Sequence, residues 1–158
     1  MTCLLLSGAP NVGKTSAVYA VKDYLVKKRH FSIIAIDPSR PVKLEVFNAL
    51  LKGKRKDGKI IHIGLLSGLD TEQEMKRALA FFKKFQINCN FYVATKRDDF
   101  EPNNQKNERK KFERILGNLV GEDCVEIPMG KVRKGNNRPN ALKWYEQKID
   151  LLCQQFLP

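Results

Sequence analysis

The sequence predicts an α/β protein, a three-layer sandwich around a mainly parallel five-stranded sheet, and three observations carry that expectation. Five short apolar runs, at residues 2–7, 32–36, 60–66, 90–94 and 124–127, are spaced along a chain of 158 residues. Between most of them lie segments whose apolar residues recur every three or four positions, the spacing of a helix with one buried face. The first run opens directly into Gly8-Ala-Pro-Asn-Val-Gly13-Lys14-Thr15, a turn of the kind that joins a strand to a helix around an anion. Strands alternating with helices form a parallel sheet, because the crossovers cover both of its faces. At this length the whole chain, 1–158, reads as one domain with a single core.

Each element has its own local reason. Residues 2–7 are apolar almost throughout, as suits a strand covered on both faces. From Thr15 to about Arg29, Ala17, Val18, Val21, Tyr24 and Leu25 mark one helical face, and Lys27-Lys28-Arg29 place cations where the helix dipole favours them. Ser32–Ile36 is a second buried strand, stopped by Pro38 and Pro41. Residues 42–51 read as a helix with Leu44, Phe47 and Leu51 on one face, followed by a basic loop from Lys52 to Gly58. Ile60–Leu66 is the third strand, with His62 inside it as a core histidine. Met75, Leu79, Phe82 and Phe85 then give a helix whose start reads as a capping box, Asp70-x-x-Gln73.

Asn90–Ala94 is the fourth strand, and residues 99–107 are loop-like. A helix from about Glu108 to Leu119 follows, ended by Gly121. Cys124–Ile127 is the fifth strand. Pro139 then opens a last helix in which Leu142, Tyr145, Ile149, Leu152 and Phe156 share a face.

Composition narrows the function classes. With 42% hydrophobic and 29% charged residues the chain is globular rather than disordered. Its formal charge of +12 favours polyanions, among them nucleic acid, nucleotides and anionic lipid. The basic residues gather at 52–59, 109–114 and 131–138 with no aromatic residues interleaved regularly among them, which argues against a stacking platform for single strands. Cys3, Cys89, Cys124 and Cys153 lie far apart, with neither a zinc spacing nor a disulfide framework, and suit a reduced cytoplasm. No run is long enough to span a bilayer, so no transmembrane segment is expected.

The candidate site is assembled from strand ends. Gly8 and Gly13 allow the backbone conformations by which the turn through Ala9, Pro10, Asn11 and Val12 brings successive N–H groups together around an anion. Lys14 is placed to reach β- and γ-phosphate oxygens, and Thr15, followed by Ser16, to ligate Mg2+. Asp37 ends the second strand, and in a parallel sheet that end shares an edge with the glycine-rich turn, so its carboxylate is a candidate to hold the metal or orient water. Asp70 is the first acid after the third strand and a further metal candidate. Thr95 and Lys96 follow the fourth strand at the same edge, and Pro128 and Met129 begin the loop after the fifth; the resemblances below imply nucleotide contact for all four.

Three resemblances extend this reading. Gly8 to Thr15 has the Walker A form of P-loop NTPases and resembles the phosphate loop of Era-type GTPases, whose guanine-reading motif Thr95-Lys96-Arg97-Asp98 also resembles. The place of those GTPases' Asp-x-x-Gly is held here by Leu66-Ser-Gly-Leu-Asp70. Ser32-Ile-Ile-Ala-Ile-Asp-Pro-Ser39 is similar to the second strand of ParA/MinD-type (SIMIBI-class) ATPases, and Ile127-Pro128 to the segment that lies against adenine in that family, although the family's extra loop lysine is Ala9 here. Small P-loop kinases share the order of elements, with Arg133, Lys134 and Arg138 in the position of a basic lid.

The ParA/MinD-like resemblance implies a P-loop NTPase fold, Mg2+-dependent ATP binding and hydrolysis with Lys14 and Asp37 as catalytic residues, a homodimer and nucleic acid as a partner. The other two imply GTP as the nucleotide of a binding switch, or γ-phosphoryl transfer to a small acceptor. A nucleotide-binding module without hydrolysis is the non-enzymatic counterpart.

Overall fold

Six strands form one sheet in the computed structural model, which describes residues 3–8, 12–41, 45–97, 110, 114–115, 117–118, 123–129 and 138–157. They are β1 (Cys3–Gly8), β2 (Ser32–Asp37), β3 (Asn48–Lys54), β4 (Ile60–Leu66), β5 (Phe91–Arg97) and β6 (Cys124–Pro128). The helices are α1 (Lys14–Asp23), continued by a π-helical segment (Tyr24–Lys28), α2 (Glu72–Phe85) and α3 (Arg138–Phe156). Lys110, Arg114, Ile115, Gly117 and Asn118 are also helical, within the stretch 108–119 where a helix was expected.

The strand order is β2-β3-β4-β5-β1-β6. β1 lies parallel to β5 and β6, and β5 parallel to β4, whereas β3 runs antiparallel to both β4 and β2. The sheet is therefore mixed, with six strands, and the expectation of five strands in a mainly parallel sheet is corrected by β3. The residues read as a helix over 42–51 and a loop over 52–58 instead supply this strand from Asn48 onward.

The reason lies in a run that satisfies both periods. Phe47, Ala49, Leu50 and Leu51 are all buried, and a continuous apolar run of this length does not distinguish a buried strand from a buried helix by spacing alone. What decides is the turn after it. Gly58 has φ +83, the Gly58 N–H donates to the Arg55 carbonyl at 2.9 Å, and the Arg55 N–H donates to the Lys59 carbonyl at 2.8 Å. That tight turn returns the chain antiparallel as β4.

Strand alternation then sorts the core onto two faces. Leu4, Leu6, Leu51, Ile63, Leu65 and Val93 pack under α1 and α3, with Val18, Val21, Leu25, Ile149 and Cys153 facing them. Cys3, Leu5, Leu50, Leu66, Tyr92 and Ala94 pack under α2, through Met75, Ala78 and Phe82. Burying each leucine contributes about 2 kcal/mol against leaving it in water. Gly64 makes room for this second layer, since a Cβ there would lie 2.5 Å from the Tyr92 ring. Helices on both faces make a three-layer α/β arrangement.

β2 is the outer strand on one side, with Ile33 and Ile34 exposed. His62, expected inside the core, is half-buried. All four cysteines are free thiols, and burial pushes the Cys153 thiol up to about 12, which keeps it protonated. No helix among the described residues is long and apolar enough to cross a membrane.

Candidate phosphate-binding edge

β1 ends at Gly8, whose backbone takes φ +153, and α1 begins at Lys14 immediately after Gly13, which caps it with φ +94. Both values lie in the region that side chains disfavour, so glycine is required for backbone reasons at each. Gly8 is needed for space as well. A Cβ there would lie 2.9 Å from Val12 Cγ2 and 3.0 Å from the Met129 carbonyl oxygen. The Met129 N–H donates to the Ser7 carbonyl at 2.8 Å, so the end of β6 is fastened against the end of β1. Ala9, Pro10 and Asn11, the middle of the turn, lie outside the described residues, as do Asp98 and the basic segment 131–137.

Lys14 is buried, with 6% of its surface exposed. Its ammonium donates to the Gly8 carbonyl at 2.8 Å and lies 3.9 Å from Asp70 Oδ2. The first turn of α1 contains no acidic residue. A cation in the first helical turn is the reverse of what the dipole prefers, because unpaired N–H groups already make that end positive. A buried lysine and a helix N-terminus therefore concentrate positive potential at one point, with the Asp70 carboxylate at its margin.

Thr15 joins α1 to the end of β4. Its hydroxyl donates to the Ser67 carbonyl at 3.1 Å. Ser67 is itself fixed twice to the start of β3, since its N–H donates to the Phe47 carbonyl at 3.0 Å and its Oγ accepts from the Phe47 N–H at 2.7 Å. Nothing in the local pattern marked Ser67. Its part depends on β3, the strand that spacing did not distinguish.

Asp70 does not cap α2. The cap is Thr71, whose hydroxyl accepts from the Glu74 N–H at 3.2 Å while the Glu74 carboxylate accepts from the N–H groups of Thr71 and Asp70, each at 3.0 Å. The capping box is thus Thr71-x-x-Glu74, one residue on from Asp70-x-x-Gln73. The Asp70 side chain is left facing Lys14.

The structure does not bring Asp37 to this point. β3, β4 and β5 stand between β2 and β1, a lateral separation of about 19 Å at ordinary strand spacing. Asp37 Oδ2 accepts from Arg77 Nε of α2 at 2.8 Å, and this guanidinium holds its carboxyl below the usual carboxylate range. The shared edge was correctly inferred from strand direction, but the strand order separates Asp37 from Lys14. Arg77, its partner, carried no signal in the sequence.

At the end of β5, Thr95 is buried beside Leu6, and its hydroxyl has no hydrogen-bond partner among the described residues. Lys96 reaches across β1 to Glu126 on β6, 2.8 Å away. Pro128 closes β6 opposite Ser7.

No family model, no curated protein and no solved structure matches this chain. Thr15 and Asp70 offer a hydroxyl and a carboxylate, the hard oxygen donors that suit Mg2+, which is ordinarily bound through one or two protein ligands together with substrate phosphates. Among the described residues no group of three or more His, Cys, Asp or Glu side chains is placed to hold a metal by itself. The donor set fits a metal brought in with a phosphate ligand rather than one caged by protein.

Proposed function

We propose that this protein binds a nucleoside triphosphate with Mg2+ at the β1–α1 edge and hydrolyses it, with ATP bound at least as tightly as GTP. The observation that carries the reading is Lys14, a buried ammonium at a helix N-terminus whose first turn holds no acid. An anion of high charge density is the complement that such a point favours. On this reading Lys14 releases the Gly8 carbonyl and turns its donors to the β- and γ-phosphate oxygens.

Thr15 and Asp70 would hold Mg2+, Thr15 through its hydroxyl and Asp70 through its carboxylate, directly or through water. The metal would supply charge neutralisation across the β- and γ-phosphates. Asp70, beside Lys14, is also the acid placed to orient an attacking water, and Asp37 is given no part in hydrolysis. Thr95, with its unmatched buried hydroxyl at the neighbouring strand end, is a candidate for hydrogen bonding to that water or to the terminal phosphate. The packing of Met129 against Gly8 supports placing Pro128 and Met129 along the base.

Thermal unfolding with ATP, GTP and inorganic phosphate, each with and without Mg2+, tests the proposal. A rise in Tm with either triphosphate that is enlarged by Mg2+, followed by release of phosphate on incubation, is the expected result. No shift with any triphosphate overturns it.

A further inference from the structure

We infer that the projecting end of the β3–β4 ribbon is a docking surface for the phosphate backbone of double-stranded DNA. The inference stands on the charge and topology of the ribbon and not on the nucleotide reading.

The ribbon outruns the sheet on both flanks. β2 last pairs with it at Ser32 and Lys52, and the β5 ladder begins at Ile63 and Phe91, while β3 and β4 continue to pair through Gly53 with Ile61 and Lys54 with Ile60. The turn then closes at residues 55–59. Because β3 runs against β1, this end lies at the pole opposite the Gly8–Lys14 edge.

Five cations, Lys52, Lys54, Arg55, Lys56 and Lys59, occupy this end with one carboxylate, Asp57. All five are exposed. Asp57 is already matched, since the Arg55 guanidinium beside it pulls its carboxyl down to about 2. Lys52, Lys54, Lys56 and Lys59 make no ion pair among the described residues. Like charges held this close repel one another, and a row of phosphates relieves that repulsion while releasing condensed counterions.

Shape and composition select the polyanion. A two-stranded antiparallel ribbon fits the major groove of B-form DNA, whereas the deep, narrow major groove of A-form RNA excludes it. Residues 52–59 include no aromatic side chain on which single-stranded bases could stack. The exposed apolar residue at this end is Ile60, paired with Lys54. Residues 52–59 themselves include no apolar side chain, so the end offers an anionic bilayer charge but only one aliphatic side chain, far short of the apolar face that interfacial insertion uses.

The test measures binding of the full chain to a labelled mixed-sequence DNA duplex across a salt series, beside vesicles containing phosphatidylserine. Four phosphate contacts give a slope of log affinity against log salt of about −4. Combining Lys54→Gln, Lys56→Gln and Lys59→Gln should flatten that slope by about 3 and lower affinity at least tenfold at moderate salt. Removing equal charge elsewhere, with Lys76→Gln, Arg114→Gln and Lys148→Gln together, should leave duplex affinity within threefold. Lys56→Glu, a single change in the exposed turn, reads the same slope if the ribbon triple does not fold. Equal losses in the two triples, no duplex binding at low salt, or tighter binding to vesicles than to duplex would overturn the inference.

Discussion

Lys14 and Asp70 face each other across 3.9 Å, one from the first residue of α1 and the other from the segment between β4 and α2. The pair links the start of α1 to the segment that follows β4. It also sets a conflict, because the same ammonium is bonded to the Gly8 carbonyl, and all three groups must rearrange if a phosphate enters.

Lys14→Met should remove most triphosphate affinity without unfolding the protein. Methionine keeps the aliphatic length while deleting the cation that the α1 N-terminus disfavours. That relief offsets part of the lost hydrogen bond to the Gly8 carbonyl, so the fold should survive with a loss of no more than about 1–3 kcal/mol. A charge-assisted contact of about 3 kcal/mol corresponds to a loss of roughly a hundredfold in affinity. Equilibrium binding of a fluorescent triphosphate, alongside urea unfolding, reads both quantities. Undiminished affinity in the folded variant would remove the phosphate-binding assignment.

The two acids should separate cleanly. Asp70→Asn keeps the shape of the side chain and leaves the Thr71–Glu74 cap untouched, so the fold is preserved while metal and water lose their carboxylate. Turnover should fall by a hundredfold or more with a much smaller change in binding, the pattern of a group acting in the transition state. Asp37→Asn, on the outer strand four strand spacings, about 19 Å, from β1 and engaged by Arg77, should leave turnover within threefold. Steady-state phosphate release from both variants decides it, and the opposite ranking would return the acid's role to Asp37.

How far the sequence disclosed this arrangement depends on the range of the signal. Codirectional strands ending at one edge were readable, because each of the five runs is short, apolar and followed by turn or helix residues. β3 was not, since Leu44, Phe47 and Leu51 have helical spacing while Phe47–Leu51 equally makes a buried strand. Asp37 was misplaced for a different reason. Its direction follows from local pattern, but its distance from Lys14 follows from strand order, which no local pattern records. With Asp70 the error was one residue of frame, since Thr71-x-x-Glu74 was equally visible.

The Asp37–Arg77 pair makes a separate, pH-dependent contribution to stability. Arg77 depresses the folded-state pKa of Asp37 below its unfolded value, so the contribution is fully present above the unfolded pKa, about 4, and is lost as pH falls through the folded value. Both side chains are more than two-fifths exposed, which limits the pair to about 0.5 kcal/mol. Arg77→Gln should therefore be less stable than the native chain by that amount at pH 7 and indistinguishable from it near pH 2. Urea unfolding at the two pH values measures the difference, and a gap that persists near pH 2 would assign it to packing of the Arg77 stem.

Gly8 and Gly13 should respond differently to the same substitution, because they are required for different reasons. At Gly13, φ +94 disfavours a side chain, but no described atom lies within 4 Å of the position a Cβ would take. Gly13→Ala therefore meets backbone strain alone, about 1 kcal/mol. At Gly8 the same strain is joined by contacts of 2.9 Å to Val12 Cγ2 and 3.0 Å to the Met129 carbonyl oxygen. A backbone oxygen at the end of β6 cannot swing aside as a side chain does, so the strand end fastened by the Met129–Ser7 hydrogen bond must move. Overpacking of this kind typically costs about 1–3 kcal/mol, and here the displacement also carries away the Gly8 carbonyl that Lys14 holds. Gly8→Ala should accordingly be the less stable variant in urea and should lose at least tenfold in triphosphate affinity. Gly13→Ala should stay closer to the native chain in stability. Equal destabilisation of the two would mean that backbone conformation, and not the closeness of β6, sets the requirement at Gly8.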